Sequence, residues 1–350
     1  MCYYFIVKFL KGFYTVSIIV TGKSIMLINK INKEEKKSIR STFGKTLLEL
    51  GKINPDIVVL DADLSCSTQT QLFAKEFPER FFDCGIAEQD MIATAAGLAL
   101  GGKIPFAASF AIFVTGRTYD QIRNSVCYPE LNVKIIGTHG GVTVGEDGAS
   151  HQALEDISLM RGIPNMTVFV PADCRECAEV IKFAAENSGP MYIRIPRTNV
   201  CDIFPEDYKF DFCTVDVLQE GRDVTVITNG ETLCEVIEAA NILQKDGYSV
   251  QIINASVVKP LDGATIIDCV KKTDFVITVE NHSITGGLGS TVCELLAEFS
   301  PAPVHRIGIN DTFGQSGKAE FLLDYYGLTA EKLAVSIRRQ IDKFRLASKG

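Results

Sequence analysis

A surplus of basic charge is absent: 35 lysines and arginines face 43 aspartates and glutamates, a net charge of −8. Nothing supplies the positive field that a nucleic acid or an anionic membrane surface would need, although a local anion site built from a few arginines stays open. Histidine is scarce, with four in the chain. Cysteine is not scarce, at 11, but metal-site spacing is missing: the closest pair, Cys174 and Cys177 in CREC, has no second pair to match it. The expectation is therefore reduced, buried thiols in a cytoplasmic protein, with no metal held by this chain. A bilayer-spanning run is missing too. The opening MCYYFIVKFLKGFYTVSIIV is apolar, but Lys8 and Lys11 break it short of the ~20 largely uncharged residues that a spanning helix uses. No small-residue cleavage site comes cleanly after it. An uncleaved anchor stays open, but the preferred reading takes residues 1–37 as an N-terminal extension and Met26 as the true start. No internal repeat or low-complexity tract is visible.

What is present is a globular composition, 46% hydrophobic and 22% charged, enough for one sizeable core or two. From Ser38 onward, helical patterns alternate with short apolar strands, the signature of a parallel α/β sheet. IRSTFGKTLLELGK reads as a helix and DIVVLDADL as a buried strand with Asp61 and Asp63 at its end. RFFDCGI, IPFAASF, NVKIIGTHGG, MTVFVPAD and MYIRIPR continue the strands. AEQDMIATAAGLALGG, TGRTYDQIRNSVC and ECAEVIKFAAEN read as helices between them. A stretch without stable period at 201–218 reads as a linker between a first unit, 38–200, and a smaller α/β unit, 219–346. In that second unit, DVTVIT, YSVQIINAS, FVITVEN and PVHRIGI read as strands, and the tail from Ala319 as helical.

Open parallel sheets bind ligands beyond the carboxyl ends of their strands, and the informative residues fall there. Glu88 opens the helix of GIAEQDMIATAAGLALGG, where a carboxylate is stabilised by the helix dipole whatever else it does. THGGVTVGEDGASHQALED, from Thr138 to Asp156, places His139 and His151 in a glycine-rich polar loop. Imidazoles there suit proton transfer and oxyanion hydrogen bonding, and such a loop is costly to bury without a ligand or partner to satisfy it. Phe110 and Phe113, three apart, would ordinarily be core but would also suit stacking on a flat heteroaromatic ring. Arg40 and Arg194 are singletons, more often ion-paired than ligand-binding. GGLGS at 286–290 lacks the full dinucleotide fingerprint and reads as a turn; GEDG is not a phosphate-binding P-loop.

Taken together, IRSTFGKTLLELG, DADLSCST, FDCGIAEQDMIATAAGLAL, ASFAIFVTGRTYDQIRNSV and GTHGGVTVGEDGASHQALEDISLMRGIPNM resemble the transketolase family, in particular the C-terminal subunits of its split members. The likeness runs from Arg40 to the end of the chain. It implies two α/β domains of the thiamine-diphosphate enzyme type, with parallel or mixed sheets: a pyrimidine-binding domain, then a smaller transketolase C-terminal domain. It implies that Glu88 hydrogen-bonds N1′ of the aminopyrimidine of thiamine diphosphate, so controlling its tautomer. Phe113 would stack on that pyrimidine, Phe110 line the pocket and Asp63 contact the cofactor. His151 would lie near the reacting carbonyl and Asp147 bind a substrate hydroxyl. Arg40, Ser67, His139 and Arg194 would form the sugar-phosphate set. Gly116 stands where classical full-length members carry a third aromatic, which alters the pocket's shape. No GDG with an asparagine some thirty residues on is found in this sequence. A partner N-terminal subunit carrying that motif, with a divalent metal (Mg or Ca), is therefore expected, in a heterotetramer of two of each.

The implied activity is transfer of a two-carbon ketol unit between sugar phosphates, a pentose phosphate pathway reaction. Two alternatives stand beside it. One is a related thiamine-dependent subunit, deoxyxylulose-phosphate synthase-like or 2-oxo-acid dehydrogenase beta-like. The other is a non-catalytic assembly subunit that kept the fold. The phosphate set favours the first activity over a bare oxo acid, and Glu88 beside Asp147 argues against a scaffold.

Overall fold

A computed structural model describes residue 31 and residues 35–347 of the chain, so the expectation that translation starts at Met26 lies outside the described residues. Lys37, at the edge of the extension, is already tied to the first domain by a two-way backbone bridge with Val200 at 2.8 and 2.9 Å.

The apolar runs become strands of two sheets. β1 (Ile57–Asp61), β2 (Phe81–Asp83), β3 (Ile104–Phe110), β4 (Lys134–Thr138), β5 (Thr167–Phe169) and β6 (Met191–Ile195) run parallel in the first. β7 (Asp216–Gln219), β8 (Val224–Thr228), β9 (Val250–Asn254), β11 (Val276–Ser283) and β12 (Val304–Ile309) form the second, five-stranded and ordered β12-β11-β8-β9-β7. The strand between, β10 (Val257–Lys259), returns to the first sheet and pairs antiparallel with β5 at its edge. That sheet is therefore seven-stranded, ordered β10-β5-β6-β4-β3-β1-β2. Strands such as IVVLD and VTVIT are buried along their whole length and mostly apolar because both faces of the sheet are covered. The expected class, two α/β units with mixed sheets, is the one observed.

The helix Ile39–Ile53 shows how sequence becomes packing. Ser38 caps it by accepting from Ser41 N, and Ile39, Phe43, Leu47 and Leu50 fall on its buried face. Each such side chain contributes about 1.5–3 kcal/mol on leaving water. Two expectations needed adjustment. Strand β7 begins at Asp216, inside the stretch read as linker. The helical tail is two helices, Ala319–Tyr325 and Ala330–Ala347, parted at Gly327, whose φ of +76° suits glycine.

Buried carboxylates hold the two domains together. Asp173 caps the helix Cys174–Glu186 and its other oxygen accepts from linker Ile203 N and Phe204 N at 2.9 and 2.8 Å. On the same helix Glu176 accepts from Asn254 Nδ2 of β9 at 2.8 Å. Burial, reinforced by nearby Asp216, pushes the Glu176 carboxyl above its usual range. Cysteine provides a further tie and corrects an expectation. Cys201, in the linker, is disulfide-bonded to Cys234 of the helix Thr232–Lys245, with Cα atoms 6.2 Å apart. Thus not all thiols are reduced; the pair lies 33 residues apart in sequence, a separation that carries no signal. No described helix is long and apolar enough to cross a membrane.

Candidate active site

All six parallel strands of the first sheet end on one side, and the segments leaving those ends assemble the site. After β1, Asp61 is wholly buried and fully engaged: it accepts from Leu64 N, Thr68 Oγ1 and Thr70 Oγ1 at 2.6–2.8 Å. Burial pushes its carboxyl up to about 6, with those hydrogen bonds opposing. Asp61 therefore folds its own loop, while Asp63 is exposed, with a φ of +60°. Asp83, ending β2, accepts from Asp63 N at 3.0 Å and Gly85 N at 2.9 Å, clasping the two strand ends together.

Gly85 leads into Glu88, the first residue of the helix Glu88–Leu100 and only 5% exposed. Its Oε1 accepts from Arg117 Nη1 at 2.9 Å. Arg117 arrives from β3 by way of a π-helical turn, Phe113–Arg117, a wide geometry common at functional sites. Its guanidinium carbon lies 4.1 Å from the centre of the Phe113 ring. Phe113 in turn lies offset-parallel to Phe110 at 5.8 Å and receives the His151 ring edge-on at 5.2 Å. Phe110 stacks on His139 at 3.9 Å. One contiguous set of rings thus links Glu88, Arg117, Phe113, Phe110, His151 and His139. The residues expected around a cofactor pyrimidine are brought together, except that Asp63 has no side-chain contact with them among the described residues.

His139 comes directly after β4 at a φ of +60°, unusual for a residue with a side chain, and shares a 2.9 Å hydrogen bond between Nδ1 and Thr138 Oγ1. Burial, with the positive fields of Arg40 and Arg197 added, pushes its imidazole down to about 3. Its ordinary value is 6.5, so the unfolded chain takes up the proton first as pH falls. Stability is consequently lost from about pH 6.5 downward toward pH 3. Nitrogen-15 NMR should show the His139 ring neutral from pH 5 to 8, as an uncharged donor–acceptor. A midpoint near 6.5 would contradict this placement.

Most of the polar loop after His139 is bonded from within the chain, although the buried Gln152 Oε1 meets no donor among the described residues. Val142 N donates to Asn281 Oδ1 at 3.0 Å, Thr143 Oγ1 to Glu231 Oε1 at 2.8 Å, and Gln152 Nε2 to Val142 O and Gln315 O at 3.1 and 3.0 Å. Asn281, Glu231 and Gln315 all belong to the second domain. Gly141, at a φ of +80°, must be glycine twice over, since a Cβ there would lie 2.4 Å from the Asn281 amide. The loop's far end presents Asp147, exposed and paired with Arg197 at 3.3 Å. Arg197 Nη1 also donates to Val144 O. Beside this pair lies a cleft of about 610 Å³ between the domains, lined in part by Arg40, Glu146, Arg197 and Lys318. Arg40 Nη1 donates to Ser67 O at 2.7 Å, so Ser67 stands next to it. The buried Nε of Arg40 meets no acceptor among the described residues.

Arg194 is the residue that the expectation misplaced. It is buried, with Nε 2.8 Å from Asp156 Oδ2 and Nη2 donating to Ala153 O and Asn281 O at 3.3 and 2.9 Å. Tyr192 donates to the same Asp156 oxygen at 2.6 Å. Its guanidinium supports the fold, and it is Arg197, three residues on, that joins Arg40 in lining the cleft. Arg117 was likewise unremarked in the sequence. The GGLGS segment turns at Gly286 and then opens the helix Leu288–Phe299, where Glu280 accepts from Leu288 N and Gly289 N at 2.8 Å each, filling the helix N-terminus with the chain's own carboxylate. Among the described residues, no group of three or more His, Cys, Asp or Glu is placed to hold a metal ion.

Known families account for this layout. Residues 35–202 match the transketolase pyrimidine-binding domain model, and residues 214–333 the transketolase C-terminal domain model. A Methanocaldococcus jannaschii protein carrying the provisional name transketolase C-terminal section is 51% identical over 310 residues, 88% of this chain and 97% of that protein. The 6-deoxy-6-sulfo-D-fructose transketolase subunit SqwH of a Clostridium species is 39% identical, covering 86% of this chain and 94% of its own. Among solved structures, a split-gene transketolase described as an inactive beta4 tetramer superposes with a TM-score of 0.81 at 48% identity, covering 87% of this chain and 98% of that one. With both domain models matched in order across the described fold, the chain belongs to the transketolase family.

Proposed function

We propose that this chain is the pyrimidine-side subunit of a two-subunit, thiamine-diphosphate-dependent transketolase that moves a two-carbon ketol unit from a ketose phosphate to an aldose phosphate. One observation carries the reading. Glu88, Phe113, Phe110, His151 and His139 form one ring-lined set at the strand ends, with Arg40 and Arg197 lining a cleft between the domains and Asp147 paired to Arg197.

The residues fit the aminopyrimidine end of the cofactor: a planar cation, the Arg117 guanidinium, already lies on Phe113 while donating to Glu88. Thiamine diphosphate, when bound, supplies the electron sink that lets a two-carbon unit leave a ketose. Glu88 holds the proton at N1′, Phe113 stacks on the pyrimidine and Phe110 lines its pocket, while Asp63, exposed beyond β1 and outside that set, would contact the cofactor from there. His151 and the neutral His139 hydrogen-bond the substrate oxygens, and His139, buried and stacked on Phe110, keeps water from its side of the site. Asp147 takes a substrate hydroxyl. Arg40, whose buried Nε lacks an acceptor, and Arg197 receive the phosphate, with Ser67 alongside. Arg194 is left out of that set, because Asp156 and two carbonyls occupy it.

In this reading the diphosphate and its metal are held by a separate N-terminal subunit, two of each subunit making a cytoplasmic heterotetramer. The domain limits are 38–200 and 219–346, the second extended back to Asp216 by strand β7. A relative is named for a sulfonated ketose, and Arg40 with Arg197 would accept a sulfonate as readily as a phosphate. The test is reconstitution with a separately expressed diphosphate-binding subunit, offering xylulose 5-phosphate and 6-deoxy-6-sulfofructose as donors to ribose 5-phosphate. Sedoheptulose 7-phosphate formed by the mixture, and by neither chain alone, is the expected result. Turnover by the partner alone, or by the mixture only with a 2-oxo acid, would overturn it.

A further inference from the structure

We propose that Arg117 stands in for the aminopyrimidine in the cofactor-free chain, holding Glu88 and Phe113 in place, and must swing aside when thiamine diphosphate loads. This rests on the function proposed for the site and adds a residue to it. The two contacts that the reading assigns to the pyrimidine are a hydrogen bond at Glu88 and a ring face on Phe113. The Arg117 guanidinium makes both: 2.9 Å to Glu88 Oε1 and 4.1 Å to the Phe113 ring centre. It is planar, like the ring it would imitate, and donates through an N–H. Phe113 already has Phe110 offset-parallel at 5.8 Å and His151 edge-on at 5.2 Å. An incoming pyrimidine therefore competes with the guanidinium for what is left of that ring.

The surroundings suit a side chain that moves on a fixed pivot. The backbone of Arg117 is tethered to the Glu88–Leu100 helix, its carbonyl accepting from Gln89 Nε2 at 2.9 Å. The side chain itself is 50% exposed, and beyond Glu88 and Phe113 it has no ion pair or ring contact among the described residues. Beside it, a Cβ built on Gly116 meets nothing within 4 Å, which leaves room for the guanidinium to turn. Glu88, at 5% exposure, would be a costly lone charge without a counterpart. Arg117 supplies one until N1′ arrives. A half-exposed ion pair and a cation–π contact each shift an equilibrium by a factor of about ten or less, so the hold is firm yet reversible. Arg117 is thus a positioning residue that acts through Glu88.

The experiment measures thiamine diphosphate binding to the reconstituted complex in the presence of Mg²⁺, by calorimetry and by the rate of loading in stopped flow. Arg117→Met keeps the aliphatic stem and removes the competing fork. It should tighten binding about three- to tenfold and speed loading, because a larger fraction of the complex is ready to bind. Arg117→Lys, which keeps charge but not the planar face, should fall between. In a Glu88→Gln background the effect of Arg117→Met should shrink, since the guanidinium's hold depends on the carboxylate. Binding by Arg117→Met and Arg117→Lys that is unchanged or weaker than wild type would overturn the proposal. Failure of the wild-type complex to bind thiamine diphosphate at all would instead overturn the function on which it rests.

Discussion

Glu88→Ala should lower the turnover of the reconstituted enzyme at least ~10²–10⁴-fold, the range typical of a general acid–base group. The expectation rests on position. Glu88 is the first residue of its helix, 5% exposed, and its carboxylate lies within one side chain of the Phe113 ring through Arg117. The carboxylates that end β1 and β2 are engaged elsewhere: Asp61 is bound up by Leu64, Thr68 and Thr70, and Asp83 by Asp63 and Gly85. Glu88→Gln, which keeps the shape, should lose nearly as much, because an amide cannot pass a proton to N1′. Steady-state assay with saturating cofactor checks both variants. Near-normal turnover by either would reject the assignment.

Arg194→Met and Arg197→Met should separate fold from function, although the two residues lie at one strand end. Arg194→Met strips the wholly buried Asp156 of its cationic partner, leaving Tyr192 as a neutral donor, and frees two buried carbonyls, Ala153 O and Asn281 O. Breaking a buried pair from one side costs about 3–5 kcal/mol, read as a lower midpoint in urea unfolding. Arg197 is 40% exposed, and its partner Asp147 is 42% exposed. Its replacement should change stability by no more than about 0.5 kcal/mol. It should, however, raise KM for phosphorylated sugars about 10- to 100-fold, the worth of a charge-assisted hydrogen bond at 1.5–3 kcal/mol. Equal stability losses in the two variants would contradict this division.

The misreading of that pair shows what a linear sequence conceals. Strands such as IPFAASF and VTVIT were legible because a buried parallel strand is apolar throughout. The helix behind Glu88 was legible from its small-residue pattern, and His139, Asp147 and His151 from their shared glycine-rich loop. Arg194 and Arg197 look alike in MYIRIPR because the buried partner, Asp156, lies 38 residues upstream. Arg117 escaped because TGRTYDQIRNSVC reads as an ordinary helix, whereas Phe113–Arg117 and Ile122–Cys127 wind as π turns. The Cys201–Cys234 bond and the return of β10 to the first sheet depend on how the domains pack, for which neither residue type nor spacing is a signal.

The polar loop from His139 to Gln152 was expected to need a ligand or partner to satisfy it; much of that part falls instead to the chain's own second domain, through Asn281, Glu231 and Gln315. Under the proposed function, this would give the C-terminal domain a thermodynamic part in substrate binding at a distance from the chemistry. Immobilising such a loop removes conformational entropy worth about 1–2 kcal/mol per residue. Here that loss is met when the chain folds, not when a sugar arrives, so it is not subtracted from substrate affinity. A loosened domain interface would therefore weaken substrate binding without any change to the residues that touch the substrate.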